Sequence, residues 1–328
     1  MRRTFMEVVN SKSELSAEAH LRRGLLLGTT AWLTGCSVLP RDEAPRTAPT
    51  PPVVQQPGSP VAPAAQRPAP RPPRIGLALG GGAARGLAHI GVLQVLEEQG
   101  IKPDLVVGTS AGSLVAALYA AGKTPTELQS MAMTLDESSI TDWVFPGRSL
   151  LKGEALARFI RTQTAGKQIE GMRLPLGIVA ADLQSGAPIL FRRGDPGTAV
   201  RASSAVPAVF EPVRINGREY IDGGAVSPIP VRFARQMGAD VVIAVDISAI
   251  PQGQPTKRAV DILLQTFNIM GHAISQHELV EADVVMRPKL EGIGSADFSS
   301  RRLSILAGRE AALMVLPQLK ERIVARTR

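Results

Sequence analysis

Residues 108–112 read Gly-Thr-Ser-Ala-Gly and directly follow the apolar run Leu105–Val107. The pattern G-x-S-x-G between a strand and a helix is typical of a nucleophile elbow, a sharp turn that lifts one side chain, here Ser110, clear of the backbone. Gly108 and Gly112 lack the Cβ atoms that would clash in so tight a turn. The stretch therefore predicts a strand, a turn with a serine nucleophile, and a helix.

Around this stretch, strand patterns alternate with helix patterns from Ile75 to the C-terminus. This alternation predicts the α/β fold class, with a single domain whose mostly parallel central sheet is covered by helices on both faces. Asn216-Gly217 between two short runs predicts a hairpin. Strands are predicted at 75–79, 105–107, 174–181, 187–192, 211–215, 219–221, 240–247 and 282–287, and helices at 83–99, 114–121, 124–135, 153–164, 199–205, 231–237, 257–280 and 300–325.

The composition limits the classes of function. The chain has 328 residues and a net charge of +8, but no dense Lys/Arg cluster with interleaved aromatic residues, so we expect no nucleic-acid partner. A single cysteine, Cys36, excludes a disulfide within the chain and a cysteine-rich metal site. The four histidines form no H-E-x-x-H pattern. We therefore expect neither a metal nor another cofactor.

The N-terminus carries the features of an export signal. The uncharged stretch Gly24–Gly35 follows two arginines and is too short to span a bilayer, as in the apolar region of a signal peptide. Its end, Leu33–Cys36, resembles the lipobox of bacterial lipoproteins, in which Cys36 would be acylated. We therefore interpret residues 1–35 as a lipoprotein-type signal peptide. The alternative is a buried cysteine in a core helix.

Residues 36–74 are interpreted as a disordered tether, because twelve prolines lie between positions 40 and 74. Such a segment is an extended spacer that buries no core. The remainder is divided into a catalytic domain at 75–250 and a C-terminal helix–strand–helix extension at 251–328, packed on the same domain. With a lipidated Cys36 on a membrane surface, the expected location is the bacterial cell envelope, at the periplasmic side of the outer membrane.

The glycine-rich loop Gly80–Gly86 follows the first strand and permits three interpretations. It could cradle a phosphate, form an oxyanion hole, or simply pack tightly. Dinucleotide binding requires a third-position glycine where Ala83 stands, and an acidic residue where the second strand ends at Ser110. An oxyanion hole requires a nearby nucleophile, which Ser110 supplies, and the N–H of Ala111 would face the developing charge. We favour the oxyanion hole.

A carboxylate, Asp222, follows a short strand and precedes Gly223 and Gly224. By itself Asp-Gly-Gly is an ordinary turn. The two glycines also allow this carboxylate to approach another loop closely.

Several motifs in this order resemble the patatin-like phospholipase family. The resemblance covers residues 75–250, and its departure is Ala83 in the glycine-rich loop, which we expect to be tolerated if that position does not need a positive φ. The motifs are the first strand with Gly80–Gly86 and Arg85, Ala88–Leu93, Gly108–Gly112, Leu151–Gly153, Ala202–Pro207 with Phe210, and Asp222–Gly224.

The resemblance implies a Ser110–Asp222 dyad, in which Ser110 attacks an ester carbonyl and Asp222 takes its proton. It also implies phospholipid or lysophospholipid as substrate, in lipid catabolism. The implied oxyanion-hole residues are Gly80, Gly81, Gly82, Arg85 and Ala111, and the supporting motif glycines are Gly108, Gly112, Gly223 and Gly224.

Two alternatives stay open. His272 and His277 follow Asp222 in the order of an α/β-hydrolase triad, which would make the protein a general esterase. Against this, the nucleophile follows only the second strand, and both histidines lie in a helical pattern. The other alternative is a non-catalytic, lipid-binding lipoprotein on the same fold.

Overall fold

The computed structural model describes residues 71–143, 149–253, 256–294 and 297–327. These residues belong to one compact unit that spans Gln66–Arg328. The predicted signal peptide, Cys36 and almost all of the predicted tether lie outside the described residues. Among the residues described, no helix has both the length and the apolar character needed to cross a membrane.

The described chain alternates strands and helices. The strands are β1 (Ile75–Leu79), β2 (Leu105–Thr109), β3 (Leu176–Asp182), β4 (Pro188–Phe191), β5 (Val213–Ile215), β6 (Arg218–Asp222), β7 (Val241–Val245) and β8 (Val284–Met286). The α-helices are α1 (Ala88–Glu98), α2 (Ala111–Ala120), α3 (Pro125–Thr134), α4 (Glu154–Gln163), α5 (Pro196–Ser203), α6 (Val231–Gln236), α7 (Ala259–Leu279) and α8 (Arg301–Ala325).

The strands form a single sheet whose hydrogen-bonded partners follow the path β5-β6-β3-β2-β1-β7-β8, and β4 pairs with the other edge of β3. Five strands, β3, β2, β1, β7 and β8, are parallel, and β4, β5 and β6 are antiparallel additions. The mostly parallel sheet confirms the predicted fold class. The segment after residue 250 contributes β8 to this sheet and packs α8 against α1.

Helices cover both faces of the sheet because successive strand residues point to opposite sides. Leu77 and Leu79 of β1 belong to the larger core, with α1, α2 and α8. Ala78, between them, belongs to a second core built around α6. Strands β1, β2 and β7 have five residues each, and all of these residues are buried, as expected for strands covered on both faces.

Three helix starts differ from the sequence predictions by three residues or more. Helix α2, predicted from Leu114, begins at Ala111. The predicted helix 83–99 is a 3₁₀ turn over Ala83–Leu87 followed by α1. The helix predicted at 199–205 begins earlier, at Pro196, because the Asp195 side chain accepts hydrogen bonds from the N–H groups of Gly197 and Thr198. An Asp-Pro pair is a helix-start signal of the kind seen at N-cap and N1 positions.

Strands β2 and β6 end head to head on one edge of β3. The register pairs Thr109, the last residue of β2, with Val179, and it pairs Asp222, the last residue of β6, with Ala180. Because β4 occupies the opposite edge of β3 over these residues, β2 and β6 share one edge. Strand β2 runs parallel to β3 and β6 runs antiparallel to it, so the two strands point toward each other along this edge. Their C-terminal ends therefore meet.

Helix α7 is attached to the loop after β6 through Glu278. One carboxylate oxygen of Glu278 accepts a hydrogen bond from the Ser227 hydroxyl, and the other accepts one from the Ile229 N–H at 2.9 Å. The Ser227 carbonyl in turn accepts a hydrogen bond from Thr109 Oγ1 at 2.8 Å. This chain of contacts links the C-terminal end of α7 to the end of β2.

Glu278→Gln should flatten the pH dependence of stability. Burial raises the pKa of the Glu278 carboxyl from 4.5 to about 7. Between these pH values the folded state holds a proton that the unfolded chain releases, so the free energy of unfolding falls as pH rises, by up to about 3 kcal/mol.

Urea unfolding of the parent and of Glu278→Gln at pH 5 and pH 8 measures this effect. Glu321→Gln, at an exposed position of α8, is the matched control. We expect a smaller loss of stability between the two pH values in Glu278→Gln than in the parent and the control. Equal losses in all three proteins would contradict the assignment.

Candidate active site

Ser110 lies at the turn between β2 and α2. Its φ of 52° and ψ of −125° are rare for a residue with a side chain, and strain of this kind costs about 1–3 kcal/mol. The conformation is held by Ser203, whose hydroxyl accepts a hydrogen bond from the Ser110 N–H at 2.8 Å and donates one to the Val179 carbonyl at 2.5 Å. Sequence reasoning placed Ser203 in a motif but missed this positioning role.

The two motif glycines of the turn permit close backbone packing. A Cβ on Gly108 would lie 2.5 Å from the Ser113 Cα, and one on Gly112 would overlap the Leu79 carbonyl at the end of β1. Neither glycine needs a positive φ. Their role is therefore to bring the start of α2 against the ends of β1 and β2.

Asp222 accepts a hydrogen bond from the Ser110 hydroxyl. Ser110 Oγ donates a hydrogen bond to Asp222 Oδ2 at 2.6 Å, and the Gly224 N–H donates one to Oδ1 at 2.7 Å. Asp222 is only 2% exposed, and this burial raises the pKa of its carboxyl from 3.8 to about 6, against the opposing effect of the two hydrogen bonds. The carboxylate is thus a stronger base than an ordinary aspartate.

Gly223 and Gly224 allow Asp222 to come this close. A Cβ on Gly223 would overlap the Val179 carbonyl. On Gly224, a Cβ would lie 3.0 Å from Asp222 Oδ1 and 3.3 Å from the Phe267 ring. The Asp-Gly-Gly sequence is therefore more than an ordinary turn in this protein.

Two of the predicted oxyanion-hole residues need correction. The Gly80 N–H donates to the Val245 carbonyl and the Gly81 N–H to the Pro228 carbonyl, each at 3.0 Å. The first bond continues the pairing of β1 with β7 and the second joins the loop after β6, so neither N–H is available to a ligand. Within the described part of the chain, no protein acceptor pairs with the N–H of Gly82 or Ala111.

Ala83 adopts a φ of 52°, in the left-handed region. We expected this departure from the family pattern to be tolerated if the position did not need a positive φ, and that condition is not met. Ala83 is the first residue inside the tight turn that the Arg85 N–H closes on the Gly82 carbonyl at 3.2 Å. The chain accepts a strained alanine where glycine would be relaxed.

Arg85 and His89 are buried beside the glycine-rich loop. Arg85 Nε donates to the Gly82 carbonyl at 3.3 Å, and no described carboxylate forms an ion pair with this guanidinium. Burial lowers the pKa of Arg85, partly offset by the charge of Asp246. Burial also lowers the pKa of His89 to about 4, so the neutral ring uses Nε2 to bond the Gly80 carbonyl at 2.8 Å. His89 therefore ties α1 to the glycine-rich loop.

The other two described histidines do not join the site. His272 and His277 both lie on α7, and neither forms a hydrogen bond with Ser110 or Asp222. Over the described residues, no group of three or more His, Cys, Asp or Glu side chains is arranged to hold a metal ion. The arrangement present is a serine hydroxyl, a buried carboxylate and two N–H groups without a protein acceptor.

A cavity of about 630 Å³ lies away from these groups. It is lined by Leu176 at the start of β3 and by Leu190 and Phe191 of β4. Ser110 follows the carboxyl end of a parallel strand, which is the edge where ligands bind in open α/β sheets. We therefore assign the chemistry to the Ser110 edge rather than to this cavity.

Gly223→Ala should destabilise the protein, because its Cβ would overlap the Val179 carbonyl. Overpacking of this kind costs about 1–3 kcal/mol. Gly171→Ala is the matched control, since nothing lies within 4 Å of a Cβ at that position. Urea unfolding should show a loss for Gly223→Ala and a change within about 0.5 kcal/mol for Gly171→Ala. Equal stabilities would show that β6 is not held against β3 this closely.

The model of the patatin-like phospholipase family matches residues 77–235. An uncharacterized NTE family protein of Mycobacterium tuberculosis is 34% identical over 206 residues, which cover 62% of this chain and 57% of that protein. Human patatin-like phospholipase domain-containing protein 6 is 38% identical over 183 residues, 53% of this chain and 13% of that protein. The chain thus spans less than two thirds of these relatives.

Among solved structures, VipD from Legionella pneumophila shares the fold, with a TM-score of 0.56 at 15% identity over 76% of this chain and 67% of that one. The residues matched by the family model include the elbow of Ser110 and the turn of Asp222. The comparisons confirm the resemblance drawn from the motifs. The similarity to the patatin-like phospholipase family extends over residues 77–235 of the chain.

Proposed function

We propose that this protein is a serine acyl-ester hydrolase that acts on phospholipid or lysophospholipid. The observation that carries the proposal is the 2.6 Å hydrogen bond from Ser110 Oγ to the buried Asp222 carboxylate. The description of the matching family and the name of the human relative, both phospholipase, support a lipid ester as the substrate.

Asp222 acts as the general base. It takes the proton of the Ser110 hydroxyl while Oγ forms a bond to the ester carbonyl carbon. Because the pKa of Asp222 is raised to about 6, this carboxylate is a stronger base than an ordinary aspartate and takes the serine proton more readily. The short hydrogen bond supplies the alignment that a weak base needs.

The N–H groups of Gly82 and Ala111 stabilise the negative charge on the carbonyl oxygen, and Arg85 adds positive charge behind the loop. Each oxyanion donor contributes about 10²–10³ in rate. Ala111 is the first residue of α2, so the positive end of the helix dipole adds to its effect.

Collapse of the tetrahedral intermediate breaks the ester bond, and Asp222 returns the proton to the leaving alkoxide. Water then attacks the acyl-serine, Asp222 accepts one of its protons, and the fatty acid leaves as Ser110 regains its hydrogen. The cycle needs no metal or other cofactor.

Two other functions make different demands on the site. A general esterase with a Ser-Asp-His triad needs a histidine on Asp222, whereas both Asp222 oxygens bond to Ser110 and Gly224. A non-catalytic lipid-binding protein has no use for a strained serine held against a buried carboxylate. We therefore favour the dyad hydrolase.

The lipidation of Cys36 and attachment to the bacterial cell envelope stay proposals about residues outside the described range. They rest on the signal-like stretch that ends at Cys36 and on the proline-rich segment after it. Such an arrangement would hold the catalytic domain close to its lipid substrate.

The dyad can be tested with Ser110→Ala and Asp222→Asn. Ser110→Ala should lower kcat on fatty-acyl esters by at least about 10⁴-fold, as loss of a nucleophile does in serine hydrolases. Asp222→Asn should lower it by about 10²–10⁴-fold because the base is lost. His272→Ala is the control and should retain parental kcat. Loss of activity in a folded His272→Ala would favour the triad esterase, and a parent inactive on every ester would favour the lipid-binding protein.

The pH profile provides an independent test. Because the pKa of Asp222 is raised to about 6, the carboxyl is protonated below that pH and cannot accept the serine proton. We expect kcat/KM to rise tenfold per pH unit below about 6 and to level off above it. A profile that stays flat down to pH 4.5 would contradict Asp222 as the base.

A further inference from the structure

A small apolar groove lies beside the candidate catalytic pair and is not used by the mechanism above. One wall is the turn at Val206 and Pro207, which follows α5. The other wall is formed by Leu263, Phe267 and Met270 of α7. Apolar side chains form nearly all of the lining, so the groove suits a hydrocarbon and not a charged headgroup.

Both walls of this groove are attached to Asp222. The Asp222 N–H donates to the carbonyl of Ala205, the residue before Val206, at 3.0 Å. On the other side, the Phe267 ring packs over Gly224, whose N–H bonds Asp222 Oδ1. These two contacts join both walls of the groove to the turn that carries Asp222.

We propose that this groove receives the acyl chain of the substrate while its ester is held at Ser110. The inference rests on the proposed hydrolase function and adds the location of the chain. The attachment of both walls to the residues around Asp222 identifies the occupant, because the acyl chain is the apolar group bonded directly to the carbonyl carbon that Ser110 attacks.

The α7 wall is formed by the C-terminal segment of the chain. Residues 259–279 lie beyond the family match, which ends at residue 235. The preference for chain length is thus determined by residues outside the matched domain, with Leu263 and Met270 as the specificity-determining side chains.

The dimensions of the groove indicate how the chain leaves it. The groove encloses about 100 Å³, whereas pockets that enclose a whole drug-sized ligand measure about 300–1,000 Å³. It therefore holds only the part of the chain nearest the ester. Beyond it, Ile262 and Ile269 of α7 are 54% and 51% exposed and stand seven residues apart, on one side of the helix. They offer an apolar path for the rest of the chain.

The test is the chain-length profile of Met270→Trp on p-nitrophenyl esters of four to sixteen carbons. Met270 is 54% exposed, so a larger side chain fits without disturbing the core but fills the groove. We expect the ratio of kcat/KM for long esters to that for the four-carbon ester to fall at least about tenfold. Met314→Trp on α8, with 69% exposure at the parental residue, is the matched control and should leave the ratio unchanged.

An unchanged ratio in a folded Met270→Trp would overturn the proposal, as would the same fall in Met314→Trp. If the parent hydrolyses no ester, the proposed function fails instead, and a binding measurement decides on the groove. In the Ser110→Ala background, calorimetric titration with dodecanoate should give a Kd at least about tenfold higher when Met270→Trp is added. Equal affinity of the two proteins, or no binding to either, would overturn the groove assignment.

Discussion

The convergence of β2 and β6 on one edge of β3 is the constraint on which the site depends. Thr109 pairs with Val179 and Asp222 with Ala180, so the residues at the two strand ends are neighbours along a single buried strand. Backbone hydrogen bonds of a sheet define such positions to fractions of an ångström. The serine and the carboxylate are therefore aligned by secondary structure, and flexible loops contribute little to their spacing.

Close packing and burial then give the pair its chemistry. Gly223 lets β6 approach the Val179 carbonyl, and Ser203 joins that same carbonyl to the Ser110 N–H. Because the Asp222 carboxyl is buried, its pKa is raised. The sheet thus supplies both the geometry and the basicity of the carboxylate, at the cost of a strained serine backbone.

The C-terminal segment is integrated with this site. Strand β8 extends the sheet beside β7, and Glu278 of α7 connects to Ser227, whose carbonyl bonds the last residue of β2. Phe267 on the same helix covers Gly224. The C-terminal segment lies outside the family match, which ends at residue 235, yet it surrounds part of the candidate catalytic pair.

Local sequence determined most of the elements and identified Ser110 as the candidate nucleophile, whereas Asp222 was assigned as its partner only through the family resemblance. Apolar periodicity, the glycines around Ser110 and the Asn-Gly hairpin act over a few residues, so the strand–helix alternation and the elbow follow from sequence alone. Contacts between distant segments were decided only by tertiary structure. These include the bonds of Gly80 to β7 and of Gly81 to the loop after β6, and the contacts of α7. The positive φ of Ala83 was likewise seen only in the structure. No local pattern encodes them, because each depends on which strands become neighbours in the sheet.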